Sequence, residues 1–183
     1  MQKANPGGTL APNEVIGRDK LVAQLWGILE RQSLYITAER RMGKTSVVRD
    51  KMAKSPINGW KLIYIDVSKA VTPLQFVEAL LNASFDYLTG SNQTKFVVFG
   101  LLNKLAGFDI KAGIGIKLPE KLGPDWKTVL STMMRDLANS DKRIVIAFDE
   151  LPLMLDAFKR REGRTSGEQI VMEMLYTLRA SRQ

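Results

Sequence analysis

Ser33 to Thr45, SLYITAERRMGKT, holds the residue types best suited to chemistry. A short apolar run, Leu34 to Ala38, gives way abruptly to charge and closes on Gly43-Lys44-Thr45. A loop of this pattern binds a nucleoside triphosphate because consecutive backbone N–H groups converge on the phosphates. The lysine reaches the β and γ oxygens, and the hydroxyl ligates Mg²⁺. Ala38 stands where the pattern has its first glycine, and no larger side chain would leave room for a close turn. A plain exposed lysine at a helix start would not account for Gly-Lys-Thr at loop length behind an apolar run. A second group lies at Arg143 to Glu150, RIVIAFDE, an apolar run ending in two carboxylates. The first, Asp149, suits the shell of a magnesium ion, and the second, Glu150, suits polarisation of an attacking water. The competing reading is that Asp149 only caps the helix beginning at Leu151.

The composition narrows the alternatives. With no cysteine and no histidine in 183 residues, disulfides, thiolate nucleophiles, imidazole bases and nearly all zinc sites are excluded. Carboxylates, lysine, arginine, hydroxyls and an oxygen-ligated metal remain, a set that fits Mg²⁺-dependent phosphoryl transfer. The net charge of +8 permits nucleic-acid binding without demanding it. Residues 1–92 hold 12 basic and 8 acidic groups and residues 93–183 hold 15 and 11, so the excess is shared evenly and forms no tail. Neither a bilayer-spanning run nor the apolar core of a signal peptide is present, which leads to the expectation of a cytoplasmic protein without a membrane partner.

The elements that must position these groups follow from periodicity. Residues 1–13, with two prolines and two glycines, read as a flexible arm ahead of one domain, 14–183. Leu21, Leu25, Ile28 and Leu29 share a helical face. The run 34–38 is short enough to be a buried strand, and a helix opens at the loop and ends near Lys54, before Pro56. A second strand is expected at 61–67. Thr72, Pro73 and Gln75 then form the capping signature of a helix to Leu88, with Leu74, Val77, Leu81 and Phe85 inward. Residues 89–124 break the alternation and read as an insertion. A helical stretch near 94–105 precedes an alternating strand or hairpin with Phe108, Ile110, Ala112, Ile114, Ile116 and Leu118 on one side. Asp125 caps a helix carrying Trp126, Val129, Leu130, Met133, Met134 and Leu137. A third strand at 143–148, a helix from Leu151 to about Arg161, a basic loop and a last helix opening with a Ser166/Gln169 capping box complete the chain. Strands alternating with helices describe an α/β protein with a parallel sheet.

Val15-Ile16-Gly17-Arg18, a loop ending in Gly-Lys-Thr-Ser and a strand ending in Asp-Glu, in that order, resemble the AAA+ ATPases. More narrowly, ITAERRMGKTS (36–46) and FDELP (148–152) resemble the archaeal-type and STAND-like ATPases of prokaryotes. The resemblance covers about residues 14–88 and 125–183. It implies a three-layer P-loop NTPase fold that binds ATP with Mg²⁺ and hydrolyses it to drive a conformational or assembly change. Glu39, Arg40, Arg41, Met42 and Gly43 would cradle the phosphates, with Ala38 and Ser46 at the ends of the loop. Lys44 would contact the β and γ oxygens, Thr45 and Asp149 would hold the metal, Glu150 would be the catalytic base, and Ile16, Gly17 and Arg18 would touch the nucleobase. The family's sheet has a further strand between the loop strand and the acidic strand, and none of the three candidates here supplies it. The expectation is therefore an N-terminal portion of a larger protein, or else a rearranged sheet.

Other features have two readings. Lys159-Arg160-Arg161 with Arg164 could engage DNA or a neighbouring subunit's nucleotide, or could be a solvated face. The apolar insertion could meet a partner or membrane, or pack on its own core. A nucleotide-gated switch or DNA-associated scaffold with little turnover is the rival to an ATPase, and either would work through protein partners or self-association.

Overall fold

A computed structural model of the chain describes residues 18–39, 42–54, 59–88, 100–102, 104 and 116–180. The expected arm, 1–13, and most of the insertion lie outside these residues. The elements are α1 (Asp19–Leu29), α2 (Ser46–Met52), β1 (Trp60–Asp66), α3 (Pro73–Leu88), α4 (Trp126–Ala138), β2 (Arg143–Asp149), α5 (Leu151–Glu162) and α6 (Arg164–Ala180). β1 and β2 are paired and parallel, which makes the protein broadly α/β. The chain divides into two compact units.

The first unit comprises the described residues up to Tyr64 together with Val145–Ala147. Its core is Val22, Leu25, Trp26, Val47, Met52 and Leu62, flanked by Leu21, Leu29, Leu34, Val48, Trp60, Tyr64, Val145 and Ala147. The inward face of α1 is thus rotated from Leu21/Leu25/Ile28/Leu29 to Val22/Leu25/Trp26. The reason is Trp26, which brings the largest apolar surface of the helix and packs its ring 6.5 Å from that of Trp60. α2 is wound with i→i+5 hydrogen bonds, and the wide turn continues into its C-cap, where Ala53 N donates to Val48 O at 3.1 Å. Asp50 is buried and accepts two 3.0 Å hydrogen bonds from Arg49, which hold its carboxyl below the usual range.

The strand expected at 34–38 is absent. Residues 33–39 carry no regular structure, and Tyr35 is 71% and Ile36 37% exposed. Only Leu34 is drawn into the core's margin. A strand exists by virtue of its neighbours, and among the described residues this run pairs with neither β1 nor β2.

The second unit holds residues 65–144 and 148–183. In α3 the Thr72 hydroxyl accepts from Gln75 N, while Gln75 Oε1 accepts from Val71 N, one residue before the position the capping signature predicts. The buried face of α3 is Phe76, Val77, Leu80, Leu81, Ser84 and Leu88, so Leu74 and Phe85 are only half-buried. Phe76 packs 5.2 Å from Phe148 of β2. The returning end of the insertion lies against α3. Asn82 Oδ1 accepts from Ile116 N at 2.6 Å, Asn82 Nδ2 donates to Ile116 O at 2.7 Å, and Glu78 Oε2 accepts from Leu118 N at 2.7 Å. Ile116 and Leu118 are buried with Lys117 turned out, as the alternation predicts; the residues before Ile116 lie outside the described set. The helical stretch near 94–105 is described only at 100–102 and 104, which are helical.

α4 matches its expected limits, but Asp125 makes no side-chain cap bond. The basic loop is almost eliminated. α5 runs to Glu162, Gly163 turns the chain at φ +81°, and α6 starts at Arg164, so Ser166 and Gln169 lie inside the helix and form no capping box. A glycine suffices to separate two helices because only its backbone takes this φ without strain. Val171 and Met174 are buried, whereas Leu175 is exposed.

At Gly167 the backbone of α5 lies hard against α6. A Cβ added there would stand 2.5 Å from Lys159 Cα and 3.0 Å from Phe158 O. Gly167→Ala should therefore destabilise by about 1–3 kcal/mol, despite alanine's better helix propensity. Urea unfolding measures this, and a gain in stability would show that the helices can part without cost.

Candidate functional site

The glycine-lysine-threonine loop belongs to the first unit. Its conformation rests on Gly43, whose φ of +77° other residues rarely adopt. A Cβ there would meet nothing within 4 Å, so the requirement is for backbone freedom rather than space. Val47 N donates to Gly43 O at 3.0 Å and closes the turn entering the helix, while Met42 N makes a long 3.4 Å contact to Glu39 O. Lys44 folds back into the loop, its ammonium donating to Ala38 O at 2.6 Å and to Glu39 O at 3.3 Å. The carbonyls of Ala38 and Glu39 thus face the Lys44 ammonium. Thr45 takes helical dihedrals and Ser46 begins α2.

Arg18 reaches the same loop. Its Nη2 donates to Met42 O at 3.3 Å, while its own carbonyl accepts from Val22 N in the first turn of α1. Asp19, the next residue, accepts a 2.8 Å bond from Lys51 on α2, and the ammonium holds its carboxyl below the usual range. The sequence could not reveal these ties, because their partners are 24 and 32 residues apart and no local pattern couples them. Ile16, Gly17, Arg40 and Arg41 lie outside the described residues.

The acidic pair belongs to the second unit. Val67 N donates to Asp149 O at 3.1 Å, which extends the β1–β2 ladder to the last residue of β2. Asp149 Oδ1 accepts from Glu150 N at 3.0 Å. Glu150 is the N-cap of α5, and its carbonyl accepts from Leu153 N and Met154 N. Asp149 is therefore not the helix cap. Glu150 has φ +57° and is exposed, the one non-glycine residue at positive φ among those described. Among the described residues no three acidic side chains group to hold a metal ion, and no helix is long and apolar enough to cross a membrane.

The basic run on α5 is locally paired. Lys159 faces Glu168, Arg160 lies 2.6 Å from Asp156 and Arg161 3.7 Å from Glu162.

Comparison of the chain with protein-family models, with curated proteins and with solved structures found no match.

A left-handed glutamate costs about 1–2 kcal/mol relative to ordinary dihedrals, and glycine escapes this cost. Glu150→Gly should accordingly stabilise the fold by about 1 kcal/mol in urea unfolding, whereas Glu150→Gln keeps the strain and the stability. A loss of stability in Glu150→Gly would mean that its side chain contributes more than its backbone costs.

Proposed function

We propose that the chain binds ATP with Mg²⁺ through residues 38–46 and hydrolyses it slowly, as a module resembling the AAA+ and STAND-like ATPases, and that it works in the cytoplasm. The observation that carries the reading is the Lys44 ammonium seated on the Ala38 and Glu39 carbonyls of a loop turned by Gly43. A polyphosphate offers that ammonium charged oxygens in place of neutral carbonyls, and charge-assisted bonds are about twice as strong. The family's three-layer P-loop fold belongs to this proposal as well.

By the sequence pattern alone, the metal's donors would be the Thr45 hydroxyl and the Asp149 carboxylate, hard oxygens of the kind Mg²⁺ takes alongside phosphates and water. When bound, the ion neutralises charge on the phosphate oxygens. Glu150 takes the proton of the attacking water as its oxygen bonds to the γ-phosphorus. The bond from that phosphorus to the bridging oxygen breaks, and ADP leaves with the electron pair. The assignment of Asp149 and Glu150 rests on the sequence, an apolar strand closing on two carboxylates.

The rival reading, a nucleotide-gated switch with little turnover, is favoured by an exposed apolar stripe on α6. Met172 and Tyr176 are 56% and 70% exposed beside Leu175, which suits a protein partner or self-association. The DNA-associated variant gains nothing from the basic run, whose described cations each face a carboxylate.

Calorimetry with Mg²⁺ present should show ATP binding that weakens at least about tenfold in Lys44→Ala. Phosphate release should fall about a hundredfold or more in Glu150→Gln with binding retained. Unchanged turnover in Glu150→Gln would overturn the role given to Glu150, ATP binding without measurable phosphate release by the native protein would favour the switch, and no nucleotide binding by the native protein would defeat both readings.

A further inference from the structure

Arg18 is the least expected participant in the loop, because the family resemblance places it against the nucleobase. Its guanidinium instead donates to Met42 O, the carbonyl of the peptide that joins Met42 to Gly43. A trans peptide is planar, so its N–H points opposite to its C=O. Fixing the Met42 carbonyl towards Arg18 therefore aims Gly43 N–H the other way. The peptide would otherwise be free to rotate, since Gly43 at φ +77° accepts a wide range of dihedrals.

Two further contacts make Arg18 a firm support. Its carbonyl is bonded into the first turn of α1, and Asp19 beside it is paired with Lys51. The start of α1 is thus tied both to the loop and to the helix that follows the loop, and all these residues belong to the first unit. Lys44 covers the carbonyls of Ala38 and Glu39, and Arg18 covers that of Met42. Lys44 exchanges its two carbonyls for an incoming anion, whereas Arg18 keeps the Met42 carbonyl, which would repel that anion, pointed opposite to Gly43 N–H.

We propose that Arg18 is a positioning residue of the phosphate site: it holds the Met42–Gly43 peptide so that Gly43 N–H faces the polyphosphate, and it makes no contact with the base. This rests on the reading of residues 38–46 as a phosphate loop. The probe that separates the two ideas is inorganic tripolyphosphate, which carries the phosphates of ATP and no base. Calorimetry with Mg²⁺ would compare ATP and tripolyphosphate on the native chain, Arg18→Ala and Arg18→Lys.

Arg18→Ala should weaken both ligands by a similar factor, about fivefold to tenfold. Arg18→Lys, which keeps a cationic donor, should recover part of the loss for both. Should Arg18→Ala not fold, as judged by far-UV circular dichroism, the same ratio is read on Arg18→Lys. A loss confined to ATP would place Arg18 at the base and overturn the proposal, as would variants that bind both ligands like the native chain. A native chain that binds neither ligand would overturn the phosphate-loop reading itself, and this inference with it.

Discussion

The parallel pairing of β1 with β2 is the constraint on which the rest of the described structure depends. Antiparallel strands can be closed by a two-residue turn, but parallel strands require the chain to return to its starting end. The whole run from Val67 to Lys142 is therefore a crossover, and α3 and α4 are the helices that make it. Those helices bury Phe76, Leu80, Leu81, Val129, Leu130 and Met133 completely, so the crossover also supplies the apolar core of the second unit. The run Leu34 to Ala38 pairs with neither of the two strands, and its β-forming side chains Tyr35 and Ile36 stay in water.

How far the sequence was legible differs by element. Where one helix signals itself locally, the reading was good. The Thr72-Pro73-Gln75 capping signature marked the start of α3, the spacing of Trp126 to Leu137 marked α4, and the apolar run ending at Asp149 marked β2. Errors arose where the deciding partner is remote. The face of α1 turned towards Trp26 because Trp60 waits across the core, and α3 turned towards Phe76 because Phe148 does. A basic loop was expected between the last two helices, yet Gly163 alone turns the chain, and Gly167 leaves no room for a side chain against α5. Residues 38–46 were singled out by type and spacing, but the bonds of Lys44 and Arg18 to carbonyls of that run were not foreseen. Likewise nothing in the spelling of Asp149-Glu150 announces that the second residue is left-handed.

The cations are distributed in a way that composition conceals. An excess of +8 suggests a surface for polyanions, yet many of the basic groups have work inside the chain. Arg49 neutralises Asp50, Lys51 holds Asp19, Lys127 reaches Glu173, and Lys159, Arg160 and Arg161 each face an acid. Lys44 and Arg18 differ in kind, because what they hold is neutral carbonyl oxygen. A bond to a neutral partner is the weaker kind.

The bonds from Asn82 and Glu78 to Ile116 and Leu118 bear on how this chain can tolerate change. Two side chains on a helix meet the backbone of an extended segment as a neighbouring strand would. The chain leaves α3 at Leu88 and is caught again at Asn82 on the same helix, roughly 9 Å away along its axis. An excursion that starts and finishes on one rigid rod places no demand on the spacing of any other element. Its closure cost grows only with the logarithm of its length, about 0.6 kcal/mol for each doubling. Lengthening the excursion is therefore cheap in closure entropy, whereas Leu102 within it is fully buried and is the part that cannot be lost without cost.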